Sequence, residues 1–156
     1  MIIHFICRGN TYRSRLAETY LNSKQLPNFK AISSGIEADF NISGPVGWYT
    51  QRIIQKQKIV PFEKPVWDKT TKENLEKGDF TVFMQKDIFD FCVSNLGFNS
   101  TKYEIWDIVD TGDTNPAWKN ASEEEKFKIT EITFEEIKKK VEELIVRLSQ
   151  MLEKSE

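Results

Sequence analysis

Ile6-Cys7-Arg8-Gly9-Asn10-Thr11-Tyr12-Arg13-Ser14 is the stretch whose reading decides the fold. A short apolar run, Ile2-Ile3-His4-Phe5-Ile6, precedes it, and a helical pattern from Ser14 to about Lys24 follows. Cys7 and Arg13 are separated by five residues, with a hydroxyl residue directly after the arginine. A loop of that length can turn its backbone N–H groups inward as a nest for a tetrahedral anion. The helix that starts behind it adds the positive end of its dipole to the same place. Such surroundings favour a thiolate at Cys7. A thiolate can attack phosphorus, and the guanidinium fork of Arg13 can grip two phosphoryl oxygens. Ser14 can donate a hydrogen bond to the sulfur. Gly9 lets the backbone approach a ligand closely, and Asn10 tolerates a left-handed conformation.

The pattern Cys-x-Gly-Asn-x-x-Arg-Ser, placed after one N-terminal strand, resembles the low-molecular-weight protein tyrosine phosphatases. The resemblance implies an α/β fold, a four-stranded parallel sheet with helices on both faces in a flavodoxin-like, doubly wound arrangement. It implies Cys7 as nucleophile and Arg13 as its partner. The phosphate-binding loop would then comprise Arg8, Gly9, Asn10, Thr11, Tyr12, Arg13 and Ser14.

A length of 156 residues suits one domain over the whole span, 1–156. The 22 Lys and Arg nearly balance the 24 Asp and Glu, so no nucleic-acid surface is implied. Cys7 and Cys92 are too few for a disulfide framework, and no Cys/His cluster suggests zinc or another metal. No stretch reaches the roughly 18 apolar residues of a membrane span, and the N-terminal run lacks the features of a signal peptide. The chain is expected to be soluble and cytoplasmic, without cofactor. Its partner is expected to be a phosphorylated protein or small phosphomonoester substrate.

Residues 2–6 read as a buried parallel strand. Leu16, Ala17, Tyr20 and Leu21 give the following helix an inward face. Phe29 to Ser33 reads as a second strand, closed by Ser33-Ser34-Gly35. Ser43-Gly44-Pro45 reads as a helix start, with Trp48, Ile53 and Ile54 on its apolar side. Ile59-Val60-Pro61 fits a connector. Asp68 is placed to cap a helix that Gly78 ends. Phe80 to Met84 is the clearest internal strand. Ile88, Phe89, Phe91 and Cys92 lie on the next helix, and Tyr103 to Trp106 forms a fourth strand. A capping box at Thr133-Phe134-Glu135-Glu136 opens the last helix. Phe134, Ile137, Val141, Leu144, Ile145, Leu148 and Leu152 then give it one apolar face. A monomer is expected, with a weak dimer through this helix as the alternative.

Thiolate attack expels an oxyanion that leaves faster when protonated, so a carboxylic acid must face the loop. Asp107, Asp110 and Asp113 are the candidates. In the family the acid is an aspartate in a pattern like Asp-Ile-x-Asp-Pro. Asp107-Ile108-Val109-Asp110-Thr111 resembles it and selects Asp110, although Thr111 replaces the proline. Phe40 falls where the family has an aromatic wall of the substrate cleft; an ordinary loop aromatic packed on the core is the other reading.

Other departures are visible. Tyr12 stands where many members have a second cysteine, Arg15 replaces a proline, Gln85 replaces an aspartate, and Thr111-Gly112 replaces a pair of tyrosines. Thr11 is the residue type typical of the related protein arginine phosphatases, which makes phosphoarginine the alternative substrate. Arsenate reductases of this fold need further cysteines that the chain lacks. A non-catalytic phosphate- or phosphoprotein-binding module is the alternative from another class.

Overall fold

The computed structural model describes residues 1–41, 44, 46–111 and 115–155. The strands are β1 (Ile2–Cys7), β2 (Lys30–Gly35), β3 (Phe80–Phe83) and β4 (Tyr103–Ile105). The helices are α1 (Arg13–Ser23), α2 (Trp48–Lys56), α3 (Lys72–Lys77), α4 (Lys86–Leu96), α5 (Pro116–Lys119) and α6 (Glu123–Lys154). All strand pairs are parallel and the sheet order is β2-β1-β3-β4. This is the expected α/β arrangement of a four-stranded parallel sheet between helices.

β1 is buried from Ile3 to Cys7, as both faces of a central parallel strand must be. Phe5 packs against Trp106, which lies under Lys140 of α6. Ile6 pairs in register with Phe83, whose ring meets Phe89 of α4 and Phe98 edge-on. The chain leaves β1 for β2 on one side and returns to β3 on the other. The carboxyl end of β1 is therefore the point where strand order reverses, and the Cys7 loop sits there.

Three helix starts differ from the sequence expectation. Ser43 and Pro45 lie outside the described residues; the helix assigned to them, α2, begins at Trp48 behind Gly47. Ile53 and Ile54 are buried, but Trp48 is exposed and lies by Arg52. At 3.6 residues per turn, position 48 lies about 140° around the helix from Ile53 and about 120° from Ile54, off their buried face.

Asp68 does not cap α3. Thr71 does, accepting from Asn74 N at 3.1 Å while Asn74 Oδ1 accepts from Thr71 N at 2.8 Å. Residues 68–70 are held extended against Gly35 by Gly35 N→Asp68 O and Thr70 N→Gly35 O, both 2.9 Å, so the helix cannot begin earlier. The last helix opens at Glu123, ten residues before Thr133. Ser122 Oγ accepts from Glu125 N at 3.2 Å and donates to Glu125 Oε1 at 3.0 Å, an N-cap upstream of the expected capping box. The acidic first turn, Glu123 to Glu125, complements the dipole. Thr130 bonds back to Lys126 O at 2.9 Å, so its hydroxyl is satisfied within the helix. Among the described residues no helix is long and apolar enough to cross a membrane.

Candidate active site

The loop after β1 is built by turning its carbonyls outward. Cys7 O accepts from Ile36 N (3.1 Å), Arg8 O from Glu37 N (2.8 Å), Thr11 O from Gly47 N (3.0 Å) and Tyr12 O from Leu16 N (2.9 Å). Side chains take the remaining two. Asn41 Nδ2 donates to Gly9 O at 2.7 Å, and Arg15 Nε donates to Asn10 O at 3.3 Å. Across a trans peptide the N–H of the next residue points the opposite way. Outward carbonyls from Cys7 to Tyr12 thus turn the amides of Arg8 through Arg13 inward, the nest geometry for an anion. Asn10 N–H is directed at Cys7 Sγ, 3.2 Å away. Asn10 itself is left-handed, with φ 57°.

Gly35 is the floor under this turn. A Cβ there would stand 2.6 Å from Arg8 O and 2.7 Å from Asn10 N. The Ser33-Ser34-Gly35 turn is therefore a seat for the loop as well as a strand end.

A buried chain of hydrogen bonds leads to the Ser14 hydroxyl and makes it an acceptor from Asn10. Glu18, a carboxylate that only accepts, takes the proton of Ser33 Oγ. Ser33 Oγ then accepts from Asn10 Nδ2 at 2.8 Å. Asn10 Nδ2 also donates to Ser14 Oγ at 2.8 Å, while Asp68 N donates to Asn10 Oδ1 at 2.9 Å and so orients the amide. Ser14 Oγ lies 2.8 Å from Cys7 Sγ and 3.4 Å from Ser34 O, so its own proton can serve a thiolate at Cys7. Burial pushes the Glu18 carboxyl up; Lys64 Nζ, 3.7 Å away, and the Ser33 hydroxyl oppose that. Cys92 is also buried but lies on α4 away from this chain, and burial pushes its thiol up to about 12. It is a core residue, not a second reactive thiol.

Arg13 is buried despite its charge. Its Nη1 donates to Gln85 Oε1 at 2.7 Å and to Ile108 O at 2.8 Å. Its Nε and Nη2 have no aligned hydrogen-bond acceptor among the described residues. Nη2 lies 3.2 Å from Asp110 Oδ2. One edge of the guanidinium is thus clamped, and the other is the edge a phosphoryl group can occupy in a bidentate fork.

Cys7, Arg8, Gly9, Thr11, Tyr12 and Asp110 line one cleft of about 250 Å³, with Glu37, Phe40, Asn41 and Thr111. Phe40 is 70% exposed and stands on its wall, not in the core. The Arg8 side chain does not point into the nest; it pairs with Glu37 and Asp87 at the rim. Asp107 is exposed and is not part of the lining, and Asp113 lies outside the described residues. Among the described residues no cluster of His, Cys, Asp and Glu is placed to hold a metal.

Four residues join the site without having been singled out for it: Gly35, Asn41, Gln85 and Arg15. Gln85 and Arg15 were visible as departures from a familiar pattern, but their contacts were not.

A model of the low molecular weight phosphotyrosine protein phosphatase family matches residues 2–156. No curated protein matches the chain. Among solved structures, YwlE arginine phosphatase from Geobacillus stearothermophilus superposes with a TM-score of 0.78 at 19% identity, covering 99% of this chain and 97% of that one. A low molecular weight protein tyrosine phosphatase from Bacillus subtilis gives 0.74 at 21% identity, covering 96% and 98%. One from T. tengcongensis gives 0.72 at 22% identity, covering 94% and 99%. At these identities the likeness to solved structures concerns the fold.

Proposed function

The chain belongs to the low molecular weight phosphotyrosine protein phosphatase family, and from that premise we propose that it hydrolyses protein phosphomonoesters, phosphotyrosine first, through a cysteinyl phosphate. The phosphoryl group sits in the nest with two oxygens on Arg13 Nε and Nη2. The Cys7 thiolate attacks phosphorus in line; the S–P bond forms as the bond to the substrate oxygen breaks. Asp110 gives its proton to that departing oxygen. Water then attacks the cysteinyl phosphate while Asp110 takes a proton from it. The S–P bond breaks, inorganic phosphate leaves, and the Ser14 hydroxyl supports the sulfur as it regains its charge. The loop amides and Arg13 carry the charge of the transferring group, the role of an oxyanion site.

The observation that carries this reading is the half-clamped guanidinium of Arg13 beside Asp110 in the Cys7 cleft. Thr11 on the cleft lining favours phosphoarginine as a second reading, since a small hydroxyl leaves room for a guanidinium and can accept from it. A reducing, cytoplasmic setting suits a protein whose two cysteines are both free.

Phosphotyrosine, phosphoarginine and phosphoserine peptides assayed side by side test the proposal, with Cys7→Ser as control. Turnover of phosphotyrosine peptide that disappears in Cys7→Ser is expected. Faster turnover of phosphoarginine selects the second reading. Binding of phosphopeptides without turnover of any assigns the chain to the phosphate-binding modules instead.

A further inference from the structure

We propose that Arg15, buried beneath the loop, is a positioning residue that locks the Asn10–Thr11 peptide in the orientation an oxyanion needs. The inference rests on reading the loop as an oxyanion site, and it adds a residue to that site which never touches the ligand.

Loop carbonyls are mostly held by backbone donors, which the fold supplies whatever the side chains are. Gly9 O and Asn10 O depend on side chains instead, and the donor to Asn10 O is the Nε of Arg15, at 3.3 Å. Arg15 is wholly buried, and its Nη1 donates to Lys64 O at 2.5 Å. One planar guanidinium therefore ties the loop to the segment beneath it. Its fork is rigid, so the Nε and Nη1 contacts fix each other.

The peptide it holds follows a residue in an unusual backbone conformation. Asn10 is left-handed, with φ 57°, a conformation reached at a steric cost by any residue but glycine. Rotating the Asn10–Thr11 peptide would send the carbonyl toward the nest and the Thr11 N–H away from it. A carbonyl oxygen facing an oxyanion repels it, and one inward donor is lost. With Asn10 O on Arg15, the peptide is held with its N–H inward.

The test uses inorganic vanadate as the probe and three chains: wild type, Arg15→Lys and Arg15→Met. Lysine keeps the positive charge but ends one atom short of Nη1 and has a methylene where Nε stands, so the rigid fork between Asn10 O and Lys64 O is lost. Both variants are expected to bind vanadate at least tenfold more weakly. In wild type the Thr11 amide resonance should shift on vanadate binding, and in the variants that shift should shrink while those of Arg8 and Gly9 persist. A loss confined to the Thr11 amide does not follow from a loss of packing alone. If Arg15→Met does not fold, Arg15→Lys decides. Wild-type vanadate affinity and a wild-type Thr11 shift in Arg15→Lys would overturn the lock while leaving the phosphatase reading standing. A wild-type chain that binds no vanadate would remove both.

Discussion

Arg13 and Asp110 are paired across the cleft, with Nη2 3.2 Å from Oδ2, while Asp110 Oδ1 accepts the Thr111 N–H at 2.8 Å. The pair joins the clamped arginine to the carboxylate at the mouth. A phosphoryl group arriving on Nη2 competes with Oδ2 for that donor. In the proposed mechanism the carboxylate oxygen then stands beside the leaving group, where a proton is needed.

Asp110→Asn should therefore slow poor leaving groups far more than good ones. General acid assistance is worth roughly 10²–10⁴-fold, and a phosphotyrosyl peptide should lose most of it. Nitrophenyl phosphate, whose phenolate departs readily, should lose much less. Asp107→Asn, at an exposed position outside the cleft lining, should keep the wild-type leaving-group dependence. Rates across a series of aryl phosphates measure this for both variants.

Gln85→Leu removes one of the two acceptors on Arg13 Nη1 and leaves Ile108 O alone. A hydrogen bond to a charged group contributes about 1.5–3 kcal/mol, so kcat/KM should fall roughly tenfold or more. The melting temperature should fall as well, because that contribution is to the folded state. Steady-state kinetics beside a melting curve separates the two effects.

Gly35→Ala should damage the site through sterics. The added methyl would meet backbone atoms of Arg8 and Asn10 at 2.6 and 2.7 Å, and neither can swing aside as a side-chain end could. Overpacking of this kind costs about 1–3 kcal/mol. Weaker vanadate binding together with a lower melting temperature is expected, measured on the same sample.

His4 gives the fold an acid limit. It is fully buried, bonded through Nε2 to Ser34 Oγ at 2.7 Å, and its pKa is lowered to about 3, by burial first and then by the Lys64 charge. The unfolded chain binds a proton at His4 below about 6.5, whereas the folded chain does not until far lower. Its contribution to stability is thus complete above about pH 6.5 and declines as pH falls toward about 3. The slope is at most about 1.4 kcal/mol per pH unit. Between pH 6.5 and 5, wild type should lose about 1.5 kcal/mol more than His4→Gln. Urea unfolding at several pH values checks the difference.

Much of this architecture was readable in the chain because its signals are local. Cys7 to Ser14 is contiguous, and a strand, a tight loop and a helix follow one another directly. Helix starts were less readable. Ser122-Glu123-Glu124-Glu125 and Thr133-Phe134-Glu135-Glu136 both fit a capping box, and packing of Thr130 and Phe134 decides between them. Asp68 fits a cap equally well by type, but Gly35 holds its backbone extended. The contacts of the site's supporting residues were not readable. Gln85 reaches Arg13 across 72 positions and Asn41 reaches Gly9 across 32, distances that only the folded sheet closes. Gln85 stood out only as a departure from the family pattern, and Asn41 not at all, since an asparagine in a loop is ordinary surface chemistry.

The central claim is that Cys7 carries the phosphoryl group between the two steps. Acid quenching during turnover of a phosphotyrosyl peptide, followed by mass spectrometry of the Cys7 and Cys92 peptides, tests it most directly. A phosphoryl adduct on the Cys7 peptide, absent from the Cys92 peptide and longer-lived in Asp110→Asn, is the predicted result. Undiminished turnover by Cys7→Ser, with no adduct on Cys7 in the wild-type chain at any quench time, would contradict the account.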